Sequence, residues 1–292
     1  MKPPVFKYHD PHTLEDALGL MATLENARPL AGGQSLMAMI NMRFAFPDHL
    51  VDLNRIPELA GVVDSSSSLH IGAMTRQRDL EFSPVVTQKL PLMAEALRHV
   101  GHRQTRNRGT IGGSLCQLDP SAELVTVSAA YDAVVEIAST RGRREIDFGD
   151  FPLGYMMPNV EPDELVVGVR YTPWPEGHGA SFVELARRHG DFAIVSAAAM
   201  LLLDSSGKIS RASLTLGGVN SAPIRMRQAE QWLIGQVPSP PTFGEAAEAC
   251  RDVDPMDDAF VSADYRRQVA VVMMRRALGS AAERARAAHE AQ

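Results

Sequence analysis

Two glycine turns constrain the fold of this sequence more than any other feature. Gly32 and Gly33 follow a predicted strand at residues 27–31, and Gly112 and Gly113 form a second turn eighty positions later. Each turn is followed by a segment with helical periodicity. Glycine allows the backbone to approach a ligand closely, and the amides that open a helix carry a partial positive charge. Two such turns are suited to hold one pyrophosphate from both sides, although either turn alone is more often a plain strand–helix connection.

The residues around the turns add hydrogen-bond donors without bulk. Ser35, Thr110 and Ser114 carry small hydroxyls. The sequence has neither a Gly-x-Gly-x-x-Gly fingerprint nor a Gly-x-x-x-x-Gly-Lys-Ser/Thr loop, so it predicts neither an ordinary Rossmann domain nor a P-loop. The glycine turns by themselves do not identify the ligand.

The hydrophobic periodicity predicts an α+β fold. Helices are predicted at residues 13–24, 36–42, 93–100, 227–234, 243–250 and 265–278. Strands are predicted at residues 27–31, 50–53, 69–73, 134–137, 145–148, 165–171, 181–186, 193–203 and 209–216. Asp119 is expected to cap a further helix that has Pro120 in its first turn and extends to Tyr131. The turn at residues 204–208 predicts antiparallel pairing of the strands that flank it.

A segment rich in proline and glycine, residues 174–179, interrupts the periodicity and marks a domain boundary. We place the boundary after residue 176. The first domain, residues 1–176, then has two mixed α/β subdomains of about residues 1–60 and 61–176. The second domain, residues 177–292, is predicted as a small antiparallel sheet with a cluster of helices.

Composition excludes several classes of function. With 29 Lys and Arg against 35 Asp and Glu the formal net charge is −6, which argues against nucleic acid as a partner. The longest apolar run, residues 193–203, is too short to cross a membrane, and the N-terminal residues lack the apolar stretch of a signal peptide, so the expected compartment is the cytoplasm. Two cysteines cannot hold an ordinary iron–sulfur cluster, so any metal centre used with this chain would lie on another chain.

Several segments carry a resemblance to one family. They are residues 31–36, residues 109–115, residues 119–123, Glu164 with Leu165, and residues 187–195. In these segments the sequence resembles the FAD-binding medium subunit of the molybdenum hydroxylases, the family of xanthine dehydrogenase and aerobic carbon monoxide dehydrogenase. The resemblance extends over nearly the whole chain and implies a two-part FAD-binding domain followed by a smaller C-terminal domain.

By this resemblance both turns hold the FAD pyrophosphate, through backbone amides and small hydroxyls. Glu123 is implied as a partner of flavin hydroxyls, Leu165 as a neighbour of the adenine or the ring system, and Arg187 as a positive charge near the isoalloxazine. The cofactor-binding residues implied are Leu30, Ala31, Gly32, Gly33, Gln34, Ser35, Leu36, Thr110, Ile111, Gly112, Gly113, Ser114, Glu123, Leu165 and Arg187. No catalytic side chain and no metal ligand is predicted in this chain.

The function implied is that of an oxidoreductase subunit whose FAD takes electrons from iron–sulfur clusters and passes them to an external acceptor. The molybdenum cofactor is expected on a large partner chain and two [2Fe–2S] clusters on a small one, in a dimer of heterotrimers. Two alternatives remain. A self-contained FAD-dependent oxidase needs a substrate pocket of its own, and a flavin-free assembly subunit would keep the fold without the cofactor.

Three further features receive plain structural interpretations. Cys116, next to the second turn, is expected to be a small buried residue. Arg103, Arg106 and Arg108 are interpreted as a solvated loop or as a site of attraction for phosphate or an acidic partner. The Ala- and Arg-rich tail beyond residue 275 is interpreted as a solvated helix end or a flexible extension.

Overall fold

The computed structural model describes residues 2–290 and has the α+β architecture expected from the sequence. Within these residues the strands are β1 (Lys7–His9), β2 (Ala27–Leu30), β3 (His49–Asp52), β4 (Val62–Asp64), β5 (Leu69–Gly72), β6 (Val134–Ser139), β7 (Gly142–Asp147), β8 (Pro152–Gly154), β9 (Met157–Pro158), β10 (Leu165–Tyr171), β11 (Gly179–Leu185), β12 (Val195–Leu203), β13 (Ile209–Gly217) and β14 (Ile224–Arg225).

The α-helices of the same residues are α1 (Leu14–Thr23), α2 (Leu36–Asn41), α3 (Gln77–Glu81), α4 (Pro84–Lys89), α5 (Pro91–Ala96), α6 (Arg103–Arg108), α7 (Ile111–Gln117), α8 (Glu123–Ala130), α9 (Arg227–Leu233), α10 (Pro240–Glu248) and α11 (Ala263–Glu290). Short 3₁₀ helices span Pro57–Leu59, Phe148–Asp150 and Ala249–Asp252.

The chain divides into two compact units that are not contiguous in sequence. The first unit consists of the residues up to Ser83, together with His102–Leu118 and Ala133–Thr172. The second unit consists of Pro84–Gly101, Asp119–Asp132 and the chain from Pro173 onward. Helices α4, α5 and α8 therefore belong to the second unit, although they precede residue 173.

The first unit contains a three-stranded parallel sheet in the order β1-β3-β2. The adjacent helix α1 begins after Thr13, whose side chain accepts a hydrogen bond from the amide of Asp16 at 3.1 Å. Its buried residues, among them Ala17 and Met21, belong to one apolar cluster with Val51 of β3. The sequence of strand, glycine turn, helix and strand predicted for this region is confirmed.

A five-stranded antiparallel sheet, β4-β5-β10-β6-β7, completes the first unit together with the small β8-β9 hairpin. Alternating side chains bury one face of this sheet, including Ile71, Val135 and Val169. On β10, Gly168 lets the imidazole of His70 pass, because a Cβ at this position would lie 2.4 Å from the His70 Nε2 atom. The strands predicted at residues 134–137 and 145–148 pair as a hairpin. A hairpin turn with Gly142 at its tip is expected from the sequence, but Thr140 and Arg141 form the turn and Gly142 pairs with Ser139 at the start of β7.

The second unit is built on a four-stranded antiparallel sheet, β11-β12-β13-β14. The first seven residues of β12 are all buried, which requires cover on both faces of the sheet. Helix α11 packs against β11 and β12, and α8 packs against β12 and β13. The antiparallel pairing predicted around residues 204–208 is confirmed.

Helix α8 begins later than predicted. It starts at Glu123 and its N-cap residue, Ala122, makes no side-chain cap. Asp119 instead accepts a hydrogen bond from the amide of Ser121 at 2.9 Å, which closes a local turn before the helix. The predicted capping role of Asp119 is therefore wrong, because its carboxylate satisfies a nearer amide.

The C-terminal tail is neither flexible nor simply solvated along the residues that the structure describes. Helix α11 continues to Glu290, and Ala281, Ala282 and Ala285 are buried against the rest of the second unit. A Cβ added at Gly179 would lie 1.8 Å from the carbonyl oxygen of Ala281, so this strand and the helix approach each other closely. Alanine permits this approach, and the tail is therefore a packed part of the fold.

The basic cluster before the second turn forms a helix rather than a solvated loop. Arg106 of α6 is only 9% exposed, and its Nε atom donates to Oε2 of Glu81 at 2.9 Å. Arg103 and Arg108 are exposed. Separately, none of the helices within residues 2–290 is both long and apolar enough to cross a membrane.

Candidate functional site

The first unit brings the two glycine turns into direct contact. Gly32 packs against the backbone before the second turn, because a Cβ at Gly32 would lie 2.3 Å from the carbonyl oxygen of Arg108 and 2.8 Å from Cα of Gly109. On the other side, a Cβ at Gly113 would lie 3.4 Å from Cβ of Ala31. The distances at Gly32 leave no room for a Cβ, so only glycine lets the two segments meet there.

The first turn presents backbone amides that have no acceptor within the protein. Gly33 has φ of 72°, a left-handed conformation that favours glycine. Among residues 2–290 nothing accepts a hydrogen bond from the amides of Gly32, Gly33, Gln34 or Ser35. Gln34 and Ser35 are exposed, and the Gln34 side chain donates to the carbonyl of Gly32 at 3.1 Å. The turn therefore carries four consecutive donors for a ligand, followed directly by α2 at Leu36.

The amides of the second turn are used differently. The amide of Ile111 donates to Thr75 O at 3.2 Å, and the amide of Gly112 donates to Ala73 O at 2.8 Å. Thr110 is the N-cap of α7, so Gly112 and Gly113 lie within the first turn of that helix. The prediction that these two glycines form a turn ahead of the helix is therefore wrong. The carbonyl of Thr110 accepts the amide of Ser114 at 3.1 Å, and its hydroxyl oxygen accepts that of Gly113 at 3.0 Å. These amides of the second turn are therefore already bonded within the protein. What the turn offers a ligand is the space that its glycines leave because they have no side chains.

Two small hydroxyls complete the donor set of the turns. Neither the hydroxyl of Ser35 nor that of Ser114 makes a hydrogen bond to any other part of the chain within residues 2–290. Ser114 is half-buried on α7. Both hydroxyls are therefore free to donate to a bound group.

A polar pair that sequence reasoning missed links the two turns. Asn54 donates from Nδ2 to the carbonyl of Ala31 at 2.9 Å, and its Oδ1 accepts from Nη2 of Arg76 at 2.5 Å. The Nη1 atom of Arg76 donates to the carbonyl of Arg108. A signal for Asn54 was present in the sequence, because residues that follow neighbouring parallel strands meet at the same sheet edge, and Leu30 of β2 pairs with the last residue of β3.

Glu123 lies in the second unit, at the start of α8, and is buried. Burial raises the pKa of its carboxyl to about 8, and the nearby carboxylates of Glu184 and Asp119 add to this rise while His99 opposes it. The Nδ1 atom of His99 lies 3.3 Å from Oε1 of Glu184, and this hydrogen bond raises the pKa of His99. At neutral pH Glu123 is mostly protonated and able to donate a hydrogen bond.

Arg187 and Leu165 occupy contrasting environments. Arg187 follows β11 in the second unit and is exposed, and its guanidinium carbon lies 5.0 Å from the ring centre of Phe260. Within residues 2–290 no carboxylate forms an ion pair with Arg187, so its charge is uncompensated by this chain. Leu165 opens β10 in the first unit and is buried in the apolar cluster that contains Met74 and Ala138.

The two cysteines differ in their exposure to water. Cys116 is exposed, so the expectation of a buried residue is wrong, whereas Cys250 is buried. In the part of the chain that the structure describes, no group of three or more His, Cys, Asp or Glu residues is arranged to hold a metal ion.

Comparison with known proteins identifies the family. A family model described as the FAD binding domain in molybdopterin dehydrogenase matches residues 4–174, and one described as the CO dehydrogenase flavoprotein C-terminal domain matches residues 180–281. The chain is 42% identical over 292 residues to the 6-hydroxypseudooxynicotine dehydrogenase complex subunit alpha of Paenarthrobacter nicotinovorans, with 99% of each chain covered. It is 36% identical to the carbon monoxide dehydrogenase medium chain of Hydrogenophaga pseudoflava, over 96% of this chain and 98% of that one.

The solved structures agree with the sequence relatives. A structure of carbon monoxide dehydrogenase from Hydrogenophaga pseudoflava matches with a TM-score of 0.94 at 37% identity and covers 97% of this chain and 99% of its own. Quinoline 2-oxidoreductase from Pseudomonas putida 86 matches with the same TM-score at 35% identity, over 98% of this chain and 99% of its own. With family models and relatives that span nearly its whole length, the chain belongs to the FAD-binding medium subunits of the molybdenum hydroxylase family.

Proposed function

We propose that this chain is the FAD-carrying electron-transfer subunit of a molybdenum-cofactor hydroxylase or dehydrogenase complex, active only in that complex. Bound FAD would supply a redox group that accepts electrons singly and releases them in pairs, which suits a position between iron–sulfur clusters and an external acceptor. The proposed partners are a large chain with the molybdenum cofactor and a small chain with [2Fe–2S] clusters, in a dimer of heterotrimers. The relatives support partners because they are named as a medium chain and as a complex subunit.

The observation that carries the proposal is the set of free amides in the first turn, held against the second turn. The amides of the first turn, which have no acceptor, and the free hydroxyls of Ser35 and Ser114 are donors that suit the anionic oxygens of a pyrophosphate. We propose that the first turn binds the pyrophosphate through these amides. The second turn would contribute the hydroxyl of Ser114 and the close approach that Gly112 and Gly113 allow.

The remaining predicted residues have proposed roles that match their chemistry. The protonated carboxyl of Glu123 would donate to a hydroxyl of FAD, and the uncompensated charge of Arg187 would stabilise an anionic reduced flavin. Leu165 would support the site from the apolar core rather than through a polar contact. These three roles rest on the family resemblance together with the environments described above.

We also propose the domain division predicted from the sequence, with the FAD-binding domain ending at residue 176. The ranges matched by the two family models, residues 4–174 and 180–281, support it. Helices α5 and α8 lie in the proposed first domain but pack with the β11-β14 sheet and its helices in the second unit. The proposed domains are therefore continuous segments of the sequence, whereas the two units are defined by which residues contact one another.

The test is FAD binding by the purified chain and by a Gly33→Asp variant. A carboxylate in the first turn would lie close to phosphate oxygens, and two unit charges 4 Å apart repel by about 4 kcal/mol at an effective dielectric constant of 20. Space exists for the new side chain, since a Cβ at Gly33 meets only the flexible side chains of Met37 and Leu30 at 3.3 and 3.4 Å. We expect the dissociation constant for FAD, measured by quenching of flavin fluorescence, to rise about 100-fold or more.

Gly207→Asp is the matched control. Gly207 has φ of 76°, close to that of Gly33, and a Cβ there meets nothing within 4 Å, so the substitution carries the same backbone strain outside the glycine turns. The control should bind FAD like the wild type. Folded wild-type protein that takes up no FAD would contradict the proposal and favour a flavin-free assembly subunit. Gly33→Asp protein with wild-type affinity would contradict the assignment of the pyrophosphate to the first turn.

A further inference from the structure

Asn54 and Arg76 bond to each other, and each also bonds to one of the two glycine turns, so together they form a bridge that connects the turns. No other pair of side chains makes such a connection among residues 2–290. Asn54 holds the carbonyl of Ala31, directly before Gly32, and Arg76 holds the carbonyl of Arg108, directly before Gly109. We propose that Asn54 and Arg76 are positioning residues that fix the two turns at the spacing needed to bind FAD. This inference rests on the proposed function of the turns.

The Asn54 end of the bridge is anchored in the parallel sheet. The carboxylate of Asp52, the last residue of β3, accepts hydrogen bonds from the backbone amide of Asn54 at 2.9 Å and from its Nδ2 atom. The other oxygen of Asp52 accepts from the hydroxyl of Tyr8 on β1 at 2.5 Å. The amide group of Asn54 is thereby oriented with Nδ2 toward Ala31 and Oδ1 toward Arg76. A side chain held at both ends transmits position rather than only filling space.

The Arg76 end needs a planar group with two separate donors. Its Nη1 and Nη2 atoms donate to acceptors on two different segments, the carbonyl of Arg108 and the Oδ1 atom of Asn54. A lysine ammonium is a single point charge and does not match this fork. Arg76 has no ion pair within residues 2–290, although the carboxylates of Asp79 and Asp52 lie near enough to attract its charge. Its two hydrogen bonds go to neutral groups and give the guanidinium its orientation. Burial and the nearby charge of Arg108 lower the pKa of Arg76 from its ordinary value.

The bridge holds the two turns at the point where their backbones are in close contact. The carbonyl of Arg108 that Arg76 holds is the same atom that a Cβ at Gly32 would approach to 2.3 Å. Gly32 in turn begins the series of free amides. A hydrogen bond that pulls on this carbonyl therefore sets the distance between the free amides of the first turn and the glycine surface of the second. Preorganisation of this kind increases affinity because a ligand need not order the site on binding.

The test compares FAD affinity in the full-length chain and in the variants Arg76→Gln and Asn54→Ala, by quenching of flavin fluorescence. Each variant breaks the bridge at one end, and we expect each to raise the dissociation constant about tenfold. Because both ends belong to one bridge, the double variant should bind FAD no more than twofold more weakly than the weaker single variant. Fully additive losses would overturn the inference, because they would mean that the two residues act independently.

Two further variants separate positioning from charge and from general instability. Arg76→Lys keeps the charge but not the fork, so its affinity should remain as low as that of Arg76→Gln, and recovery of wild-type affinity would overturn the inference. Arg78→Gln is the matched control, since Arg78 lies two residues away, stacks 3.9 Å from the ring centre of Phe82 and contacts neither turn. It should bind FAD like the wild type. Urea denaturation without FAD shows whether Asn54→Ala and Arg76→Gln remain folded.

The outcomes also distinguish this inference from the proposed function. Failure of the wild type to bind FAD would overturn both. Unchanged affinity in Gly33→Asp would overturn the role of the first turn and, with it, this inference, but not FAD binding by the chain. Loss of binding in Gly33→Asp, together with wild-type affinity in folded Arg76→Gln and Asn54→Ala proteins, would overturn the positioning role alone. If Arg76→Gln does not fold, a tenfold loss in folded Asn54→Ala supports the role, and unchanged affinity in that variant overturns it.

Discussion

Replacement of Glu123 by glutamine should stabilise the protein at neutral pH. The pKa of this buried carboxyl is about 8 in the folded chain, against an ordinary value of 4.5. A raised carboxyl pKa means that the folded state keeps the proton longer than the unfolded state, so stability is full below pH 4.5 and falls as the pH rises toward 8. At ~1.4 kcal/mol per pH unit, the rise from pH 4.5 to 7 lowers the free energy of unfolding by about 3 kcal/mol.

Glu123→Gln removes this titration, because its amide is neutral at every pH. The difference in unfolding free energy between variant and wild type, measured by urea denaturation without FAD, should increase by about 3 kcal/mol between pH 4.5 and 7 in favour of the variant. The neighbouring charged groups are the same in both proteins, so the difference between them reports the contribution of Glu123.

Glu15→Gln provides the control for this measurement. Glu15 also lies in the first turn of a helix, α1, but is exposed to water. Its replacement should leave the pH dependence of stability close to that of the wild type. A Glu123→Gln variant whose stability relative to the wild type does not change with pH would refute the assignment of a buried, protonated carboxyl.

Two further predictions concern stability. Gly112→Ala should lower the free energy of unfolding by about 1–3 kcal/mol in urea denaturation, since the new Cβ would lie 2.6 Å from Cβ of Ala73. The control is Gly19→Ala in helix α1, where a new Cβ meets nothing within 4 Å, and this variant should raise the free energy of unfolding by about 1 kcal/mol. A neutral or stabilising Gly112→Ala would refute the close packing. Arg144 donates to both oxygens of Glu164, which lowers the pKa of that carboxyl. Stability from a lowered carboxyl pKa is present above its ordinary pKa and lost as the pH falls, so Arg144→Gln should lose about 2 kcal/mol at pH 7 and less below pH 4. An equal loss at both pH values would contradict this account.

Local signals were sufficient to predict most of the secondary structure. Helix α1 has both an apolar stripe and the capping residue Thr13, and β10 is a run of apolar residues closed by prolines, so periodicity and local chemistry agree. The first glycine turn is predictable for the same reason, since a pair of glycines between a strand and a helix is a local pattern. The second is not, because Gly112 and Gly113 lie within the first turn of α7, which follows helix α6. The capping role predicted for Asp119 is wrong because two local patterns compete there, a helix cap and a turn closed by the amide of Ser121.

The inner organisation of the site depends on contacts that no local pattern contains. The amides of Ile111 and Gly112 donate to carbonyls near residue 75, which is more than thirty positions away in the sequence. Arg76 and Asn54 are likewise twenty-two residues apart and meet only because the chain returns between them. One elementary rule could predict part of this arrangement, because parallel pairing of β2 and β3 places Ala31 and Asn54 at one edge of the sheet.

Composition alone gives a wrong prediction for the C-terminal helix, and the structure shows why. Alanine and arginine together are typical of an exposed helix, since alanine contributes little apolar surface and arginine is rarely buried. In the structure the alanines are buried because small side chains let α11 approach Gly179 closely, and Arg284 donates to Glu95 of α5 at 2.5 and 3.0 Å. The same guanidinium also reaches the carbonyl of Ala180 on β11. The small residues of α11 therefore indicate close packing rather than exposure to water. The feature that distinguishes the two cases is Gly179 on the facing strand, which permits the close approach.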